Sequence, residues 1–315
     1  MIGHNGVPAA AAGRISLDPE MSVNRMGFGA MRLTGPGIWG EPNDPEECRR
    51  VLRRALELGV DFIDTADSYG PEVSERLIAE ALHPYPAGLV IATKGGQVRP
   101  GPGQWVPEGR PEHLRAALEG SLRRLRLERI DLYQLHRPDP KVPFDESVGA
   151  LVDMKREGKI RAIGVSNVNQ QQLERARGMT AVVSVQNRYN LTDRESEDVL
   201  QLCEKLGIAF IPWAPILGGE VEPESVRRIA GERGISTRQL ALAWILAHST
   251  QTLPIPGTAS VAHLEENVAA AAVRLTPDEV QQLDSLSPAA GARGTRVSAK
   301  PASRGVTPGE GGRRG

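Results

Sequence analysis

Asp64 and Tyr69 lie within one short segment, Lys94 ends a later apolar run, and His136 ends another. A carboxylate, a phenol, an amine and an imidazole together can move a proton to an oxygen that is gaining negative charge. Reduction of a carbonyl by hydride has that need. A phenol, with an ordinary pKa about 10, exchanges its proton poorly near neutrality until a cation lowers that value. Lys94 can supply the charge, Asp64 can keep Lys94 ionised and oriented, and a neutral His136 can hydrogen-bond the reacting oxygen. Taken singly, each residue has a plainer reading, and that reading is the better one. Asp64 caps the turn after Phe62-Ile63, Lys94 is a surface lysine beside Gly95-Gly96, His136 is a hydrogen-bonded core imidazole, and Tyr69 packs its ring in a loop before Gly70-Pro71.

What joins the four is the position each takes in the chain's pattern. Short, non-alternating apolar runs occur at 25–31, 61–64, 89–93, 130–135, 160–165, 182–186, 208–213 and 252–255. Buried parallel strands read this way. Helical patterns lie between them, at 44–58, 111–125, 145–157, 168–177 and 192–206. Pro111 suits a first helical turn, Thr192-Asp193 suits a cap, and Gly59, Gly158 and Gly207 suit C-caps. Alternation of β and α over one unit predicts an α/β fold, a single-domain (β/α)8 TIM barrel. An open doubly wound sheet is the runner-up, weakened because no GxGxxG follows the first strand. A barrel of this kind builds its site at the C-terminal ends of the strands. Those exits here carry Asp64 with Tyr69, Lys94, His136, Ser166-Asn167, Gln186 and Trp213. Packing alone does not place so many polar and aromatic groups on one rim.

The bulk numbers fit such an enzyme and exclude other classes. The chain has 315 residues, 40% of them hydrophobic, enough for one sizeable core. With 38 basic and 39 acidic residues there is no electrostatic case for nucleic acid or an anionic membrane. The basic run of Arg123, Arg124, Arg126 and Arg129 is interrupted by leucines at helical spacing and reads as a solvated helix face. Cys48 and Cys203 read as buried thiols of a reducing compartment, with no metal-ligand spacing around them. No signal peptide and no membrane-length apolar stretch is seen, so a cytoplasmic protein is expected. Residues 1–21 read as a partly ordered N-terminal extension and 22–287 as the barrel. The Gly/Arg/Pro-rich stretch 288–315 lacks large apolar side chains and is expected to be disordered.

The segments Asp61-Phe-Ile-Asp-Thr-Ala-Asp-Ser-Tyr69, Thr93-Lys94, Leu135-His136, Gly164-Val-Ser-Asn167 and Gln186-Asn-Arg-Tyr189 resemble the aldo-keto reductases. The resemblance runs over about 22–287, in order and at the family's spacing. It implies a (β/α)8 barrel, NAD(P)H as hydride donor, and a catalytic set of Asp64, Tyr69, Lys94 and His136. It also implies that Ser166, Asn167 and Gln186 bind the nicotinamide carboxamide and that Trp213 stacks on the ring. The stretch 255–267 looks like the family's cofactor-phosphate and adenine loop, with Gly257, Thr258, His263, Glu266 and Asn267 as contacts. A phosphate would suit the helix start there. Lys or Arg often stands in this loop in the family, and its absence here weakens the preference for NADP over NAD. NADP remains the expectation.

The stretch 22–37 and the Ile255-Pro-Gly-Thr258 loop narrow the resemblance to bacterial reductases of the pyridoxal reductase type. That implies an aromatic aldehyde such as pyridoxal, reduced to pyridoxine, with Met31, Trp39, Trp105 and Arg137 lining its site. Trp39 and Trp105 read equally well as packed loop anchors. The expected partner is a small carbonyl compound, the expected state a monomer or weak homo-oligomer. Two other readings compete: a Schiff-base lyase with Lys94 as the amine, and a non-catalytic NADP-binding sensor on the same barrel.

Overall fold

The structure, a computed structural model, describes residues 8–216 and 223–286, so the expected disordered tail lies outside the described residues. A 3-10 turn, Pro8–Ala12, leads to an antiparallel hairpin of β1 (Arg14–Asp18) and β2 (Met21–Asn24). Strands and helices then alternate: β3 (Phe28–Gly29), α1 (Pro45–Glu57), β4 (Phe62–Asp64), α2 (Val73–Leu82) and β5 (Val90–Gly95). A small hairpin of β6 (Gln97–Val98) and β7 (Val106–Pro107) follows, then α3 (Pro111–Leu125), β8 (Ile130–Leu135), α4 (Phe144–Arg156) and β9 (Ile160–Ser166). The chain continues through α5 (Gln170–Arg177), β10 (Val182–Gln186), α6 (Glu197–Leu206) and β11 (Ala209–Phe210). The last described helices are α7 (Glu224–Arg233), α8 (Thr237–His248), α9 (Val261–Ala269) and α10 (Pro277–Asp284).

Seven strands form one parallel sheet in the order β11-β10-β9-β8-β5-β4-β3. Thr252 takes the eighth place by a parallel bridge to Phe210. Leu253 N–H donates to Phe210 O at 2.9 Å, and Gly27 N–H donates to Pro254 O at 3.0 Å. The sheet thereby curls round on itself as a (β/α)8 barrel. The middle runs become the strands expected of them, but the outer ones shrink. The first is two residues of ladder, and those at 208–213 and 252–255 become β11 and a bridge. Pro212, Pro254 and Pro256 have no N–H to give the ladder. A Cβ on Gly29 would stand 2.6 Å from Ile255 O, so the first strand needs glycine where it meets the last.

One helix start differs from its expectation. The Asn190 carboxamide accepts the N–H groups of Thr192 and Asp193 at 3.0 and 2.9 Å, and α6 begins only at Glu197. A side chain that satisfies these donors offers the backbone a turn in place of a helix. Elsewhere local signals hold. Asp44 caps α1 by accepting Glu47 N–H at 2.8 Å, and Cys48, Val51, Leu52 and Ala55 bury one stripe of that helix. Cys48 and Cys203 are both buried free thiols.

The β1–β2 hairpin plugs the N-terminal end of the barrel. Its Ile15, Leu17, Met21 and Val23 pack against Phe62, Val90, Leu132 and Ile255. Arg25, 8% exposed, then ties this end to the closing segment. Its guanidinium donates to Thr252 O at 3.1 Å, Thr252 Oγ1 at 3.0 Å, Leu246 O at 3.1 Å and also to Ser249 O. Arg25→Met should cost about 3 kcal/mol, because buried carbonyl groups lose their donors together. Chemical denaturation checks this; a loss below about 1 kcal/mol would mean that water replaces the guanidinium without penalty.

Candidate active site

β4 and β5 run side by side, with Asp64 paired to Ala92 and Lys94 lying just beyond, at the C-terminal end of the sheet. The Lys94 ammonium is fully buried and donates to Asp64 Oδ1 at 2.6 Å, Thr65 O at 2.9 Å and Tyr69 Oη at 3.2 Å. An ammonium has three hydrogens, and each has an acceptor. The other carboxylate oxygen of Asp64 accepts from Gln134 Nε2 at 3.0 Å and Gln186 Nε2 at 2.8 Å. Burial lowers the Lys94 pKa, but Asp64 and Tyr69 more than offset it and the net shift is upward. Lys94 stays charged. Burial raises the Tyr69 phenol, Lys94 pulls it down, and the net shift remains upward. Lysine therefore moderates the phenol against the effect of burial without carrying it below its ordinary value.

His136 directly follows β8, with its backbone N–H on Gly95 O at 2.8 Å and its ring 5.9 Å from that of Tyr69. Nδ1 lies 3.3 Å from Ser68 Oγ. Burial, then the charges of Lys94 and Arg137, hold the imidazole well below its ordinary pKa, so it is neutral near pH 7. Trp105 closes this end, edge-on to Tyr69 at 6.4 Å and to His136 at 6.4 Å.

Asp64, Tyr69 and His136 open onto a cavity of about 810 Å³, with Lys94 just beneath the phenol. Ser166, Asn167, Gln186 and Trp213 are on the same wall. Ser166 Oγ donates to Gln186 O at 2.7 Å, and Asn167 Nδ2 donates to His136 O and Ser166 Oγ. Trp213 Nε1 donates to Asn167 Oδ1 at 3.2 Å. The amide hydrogens of Gln186 and Asn167 are thus committed to the protein, and the capacity left over is oxygen lone pairs. Such a wall suits a ligand that presents an NH2 group, as a carboxamide does.

The cavity runs on to Gly257, Thr258, His263 and Asn267. Asn267 is 2% exposed, and its Oδ1 has no hydrogen-bond partner among the described residues. A ligand's exocyclic amine would satisfy it. The start of α9 is partly filled already, since Glu47 Oε1 accepts Val261 N–H at 3.0 Å and Thr258 Oγ1 accepts Ser260 N–H. An anion there must find further donors, and two arginines that the sequence reading missed also line the cavity, Arg32 and Arg238. Arg238 lies in the first turn of α8, behind the capping box of Ser236 and Gln239. A cation in a first turn opposes the helix dipole, and that is the one signal by which it could have been found.

Met31 and Trp105 line the cavity as expected, but Trp39, Arg137 and Glu266 do not. Trp39 pairs its backbone with Gly70, and its ring lies beside Arg99 at 5.7 Å. Arg137 sits at a bend just past the end of β8, and it is exposed and outside the cavity. On α9, His263 and Asn267 line the cavity one turn apart, and Glu266, one residue before Asn267, is turned about 100° from it round the helix. Among the described residues no group of His, Cys, Asp or Glu could hold a metal, and no helix is long and apolar enough to cross a membrane.

The sequence model of the aldo/keto reductase family matches residues 25–288. An uncharacterized oxidoreductase of Schizosaccharomyces pombe is 51% identical over 282 residues, covering 89% of this chain and 92% of that one. Pyridoxine 4-dehydrogenase of Escherichia coli is 40% identical over 274 residues, covering 84% and 96%. Among solved structures, an aldo-keto reductase from Klebsiella pneumoniae in complex with NADPH superposes with a TM-score of 0.72 at 28% identity, covering 85% of this chain and 93% of that one.

Proposed function

Because this chain belongs to the aldo/keto reductase family, we propose that it reduces an aldehyde or ketone to an alcohol with NADPH, the proton coming from Tyr69. The observation that carries this is the Lys94 ammonium held at once by Asp64, Thr65 O and Tyr69 Oη on the floor of an open cavity. When bound, NADPH supplies the hydride. Ser166, Asn167 and Gln186 would meet its carboxamide, Trp213 its ring, and Asn267 its adenine amine.

Tyr69 Oη gives its proton to the substrate oxygen as charge develops there. Lys94 steadies the resulting phenolate, and Asp64, fixed by two glutamine amides, keeps Lys94 in place. His136, neutral and with Nδ1 beside Ser68 Oγ, would offer a proton on Nε2 to the same oxygen. Met31, Ile38, Trp105 and Ile216 give the cavity an apolar wall, which fits a flat aromatic aldehyde such as pyridoxal. Turnover of a panel of aldehydes, ketones and pyridoxal, each with NADPH and NADH, tests the activity and its substrate together.

A Schiff-base reaction on Lys94 has no access: the amine is fully buried, charged and fully hydrogen-bonded. For the cofactor, Arg238 and Arg32 answer the missing base of the 255–267 loop, and they favour the 2′-phosphate form. Arg238→Ala should raise KM for NADPH at least tenfold and leave KM for NADH within about twofold, the loss expected for one charge-assisted contact of about 1.5–3 kcal/mol. Equal effects on both cofactors would remove Arg238 from phosphate recognition.

A further inference from the structure

Arg99 takes no part in the chemistry above, yet it is 8% exposed at the mouth of the barrel and joins three loops. Its Nε donates to Gln104 O at 2.8 Å across its own loop, the turn that links β6 to β7. Nη1 donates to Ile38 O at 2.8 Å and to Ser68 O at 3.3 Å, and Nη2 to Gly37 O at 3.0 Å. Gly37 and Ile38 belong to the loop after β3. Ser68 belongs to the turn after β4, next to Tyr69, and its hydroxyl is the one beside His136 Nδ1.

The guanidinium spends its edge on carbonyl groups and its face on an indole. Its Cζ lies 3.6 Å from the centre of the Trp105 ring. Trp105 in turn stands edge-on to both Tyr69 and His136. A lysine could not do both, because an ammonium has neither a planar face nor donors in a fixed fork.

We propose that Arg99 is a positioning residue for the reduction: it holds Trp105 and the Ser68-Tyr69 turn as one unit, and so favours flat aromatic carbonyl substrates over small aliphatic ones. The proposal rests on the reading of Tyr69 as proton donor. A planar substrate reaching the phenol must lie along the Trp105 indole. A small aliphatic aldehyde reaches the same oxygen position with little use of that wall. Freeing the indole therefore weakens one class of substrate and spares the other.

The test compares wild type, Arg99→Met and Arg99→Lys with benzaldehyde and propanal as substrates. Arg99→Met should raise KM for benzaldehyde about tenfold, the value of one lost aromatic contact. KM for propanal and the Kd for NADPH should stay within about twofold. Arg99→Lys, which keeps charge without the fork, should recover only part of the benzaldehyde KM, and it carries the test alone should the methionine variant not fold. Acrylamide quenching of Trp105, taken as the difference from Trp105→Phe in each background, needs no turnover and should rise when Arg99 is replaced. Parallel changes in KM for the two aldehydes, or unchanged Trp105 quenching, overturn the role given to Arg99. A wild-type protein inert toward every carbonyl compound with both cofactors overturns the reading of the site instead, and the quenching then still decides whether Arg99 holds the ring.

Discussion

Tyr69→Phe should lower kcat by about a thousandfold while the Kd for NADPH stays within about twofold. The substitution removes one oxygen and leaves the ring, which keeps its edge-on contacts with Trp105 and His136. Loss of a positioned general acid costs about 10² to 10⁴ in rate. The middle of that range is expected, because His136 beside the phenol is neutral and offers no imidazolium proton in its place. Single-turnover absorbance at 340 nm and cofactor titration separate the two parameters. A variant that turns over normally would show that the proton comes from elsewhere.

Lys94→Met should damage stability and catalysis together. Asp64 would keep its bonds from Gln134 and Gln186 but lose the Lys94 cation in contact with it, deep in the barrel. Breaking a buried ion pair from one side costs about 3–5 kcal/mol, since the remaining charge stays desolvated. Adding Asp64→Asn to Lys94→Met should therefore return part of that loss, and denaturation of the single and double variants reads the coupling. The pH dependence also has a definite sign. Lys94 pulls the phenol pKa down against burial, so without it the phenol holds its proton to higher pH. In alcohol oxidation, where the phenolate acts as base, the rising limb of the rate should move to higher pH. An unmoved limb would mean that Lys94 leaves the phenol untuned.

The legible part of this molecule is what repeats along the chain. Apolar runs broken by helical patterns spelled out the barrel, and reading the residue at each run's end brought Asp64, Lys94, His136, Ser166 and Gln186 to one rim. Contacts made across the fold were not legible. Gln134 looks like an interruption of a buried strand until it is seen to hold Asp64. Arg238 reaches the Thr258 end of the cavity only because α8 packs beside α9. Glu47 is an ordinary first-turn acid in the sequence, yet it occupies the start of a distant helix. Arg124, read within a solvated basic face, instead pairs with the buried Glu75 at 2.7 Å. Trp39 and Arg137 had suitable chemistry, but Trp39 sets its ring beside Arg99 and Arg137 sits at an exposed bend, so neither lines the cavity. In the last two strands the shortening has a local cause, proline, that outweighs an apolar run.

Transfer of label from the cofactor tests the central claim most directly. The enzyme is given NADPH carrying deuterium at C4 in the transferable position, with an aldehyde substrate, and the alcohol is analysed by mass spectrometry. Direct reduction in this cavity predicts one deuterium on the carbinol carbon and none when the label is in solvent water. An alcohol without cofactor deuterium, or no alcohol at all from any aldehyde or ketone offered, would contradict it.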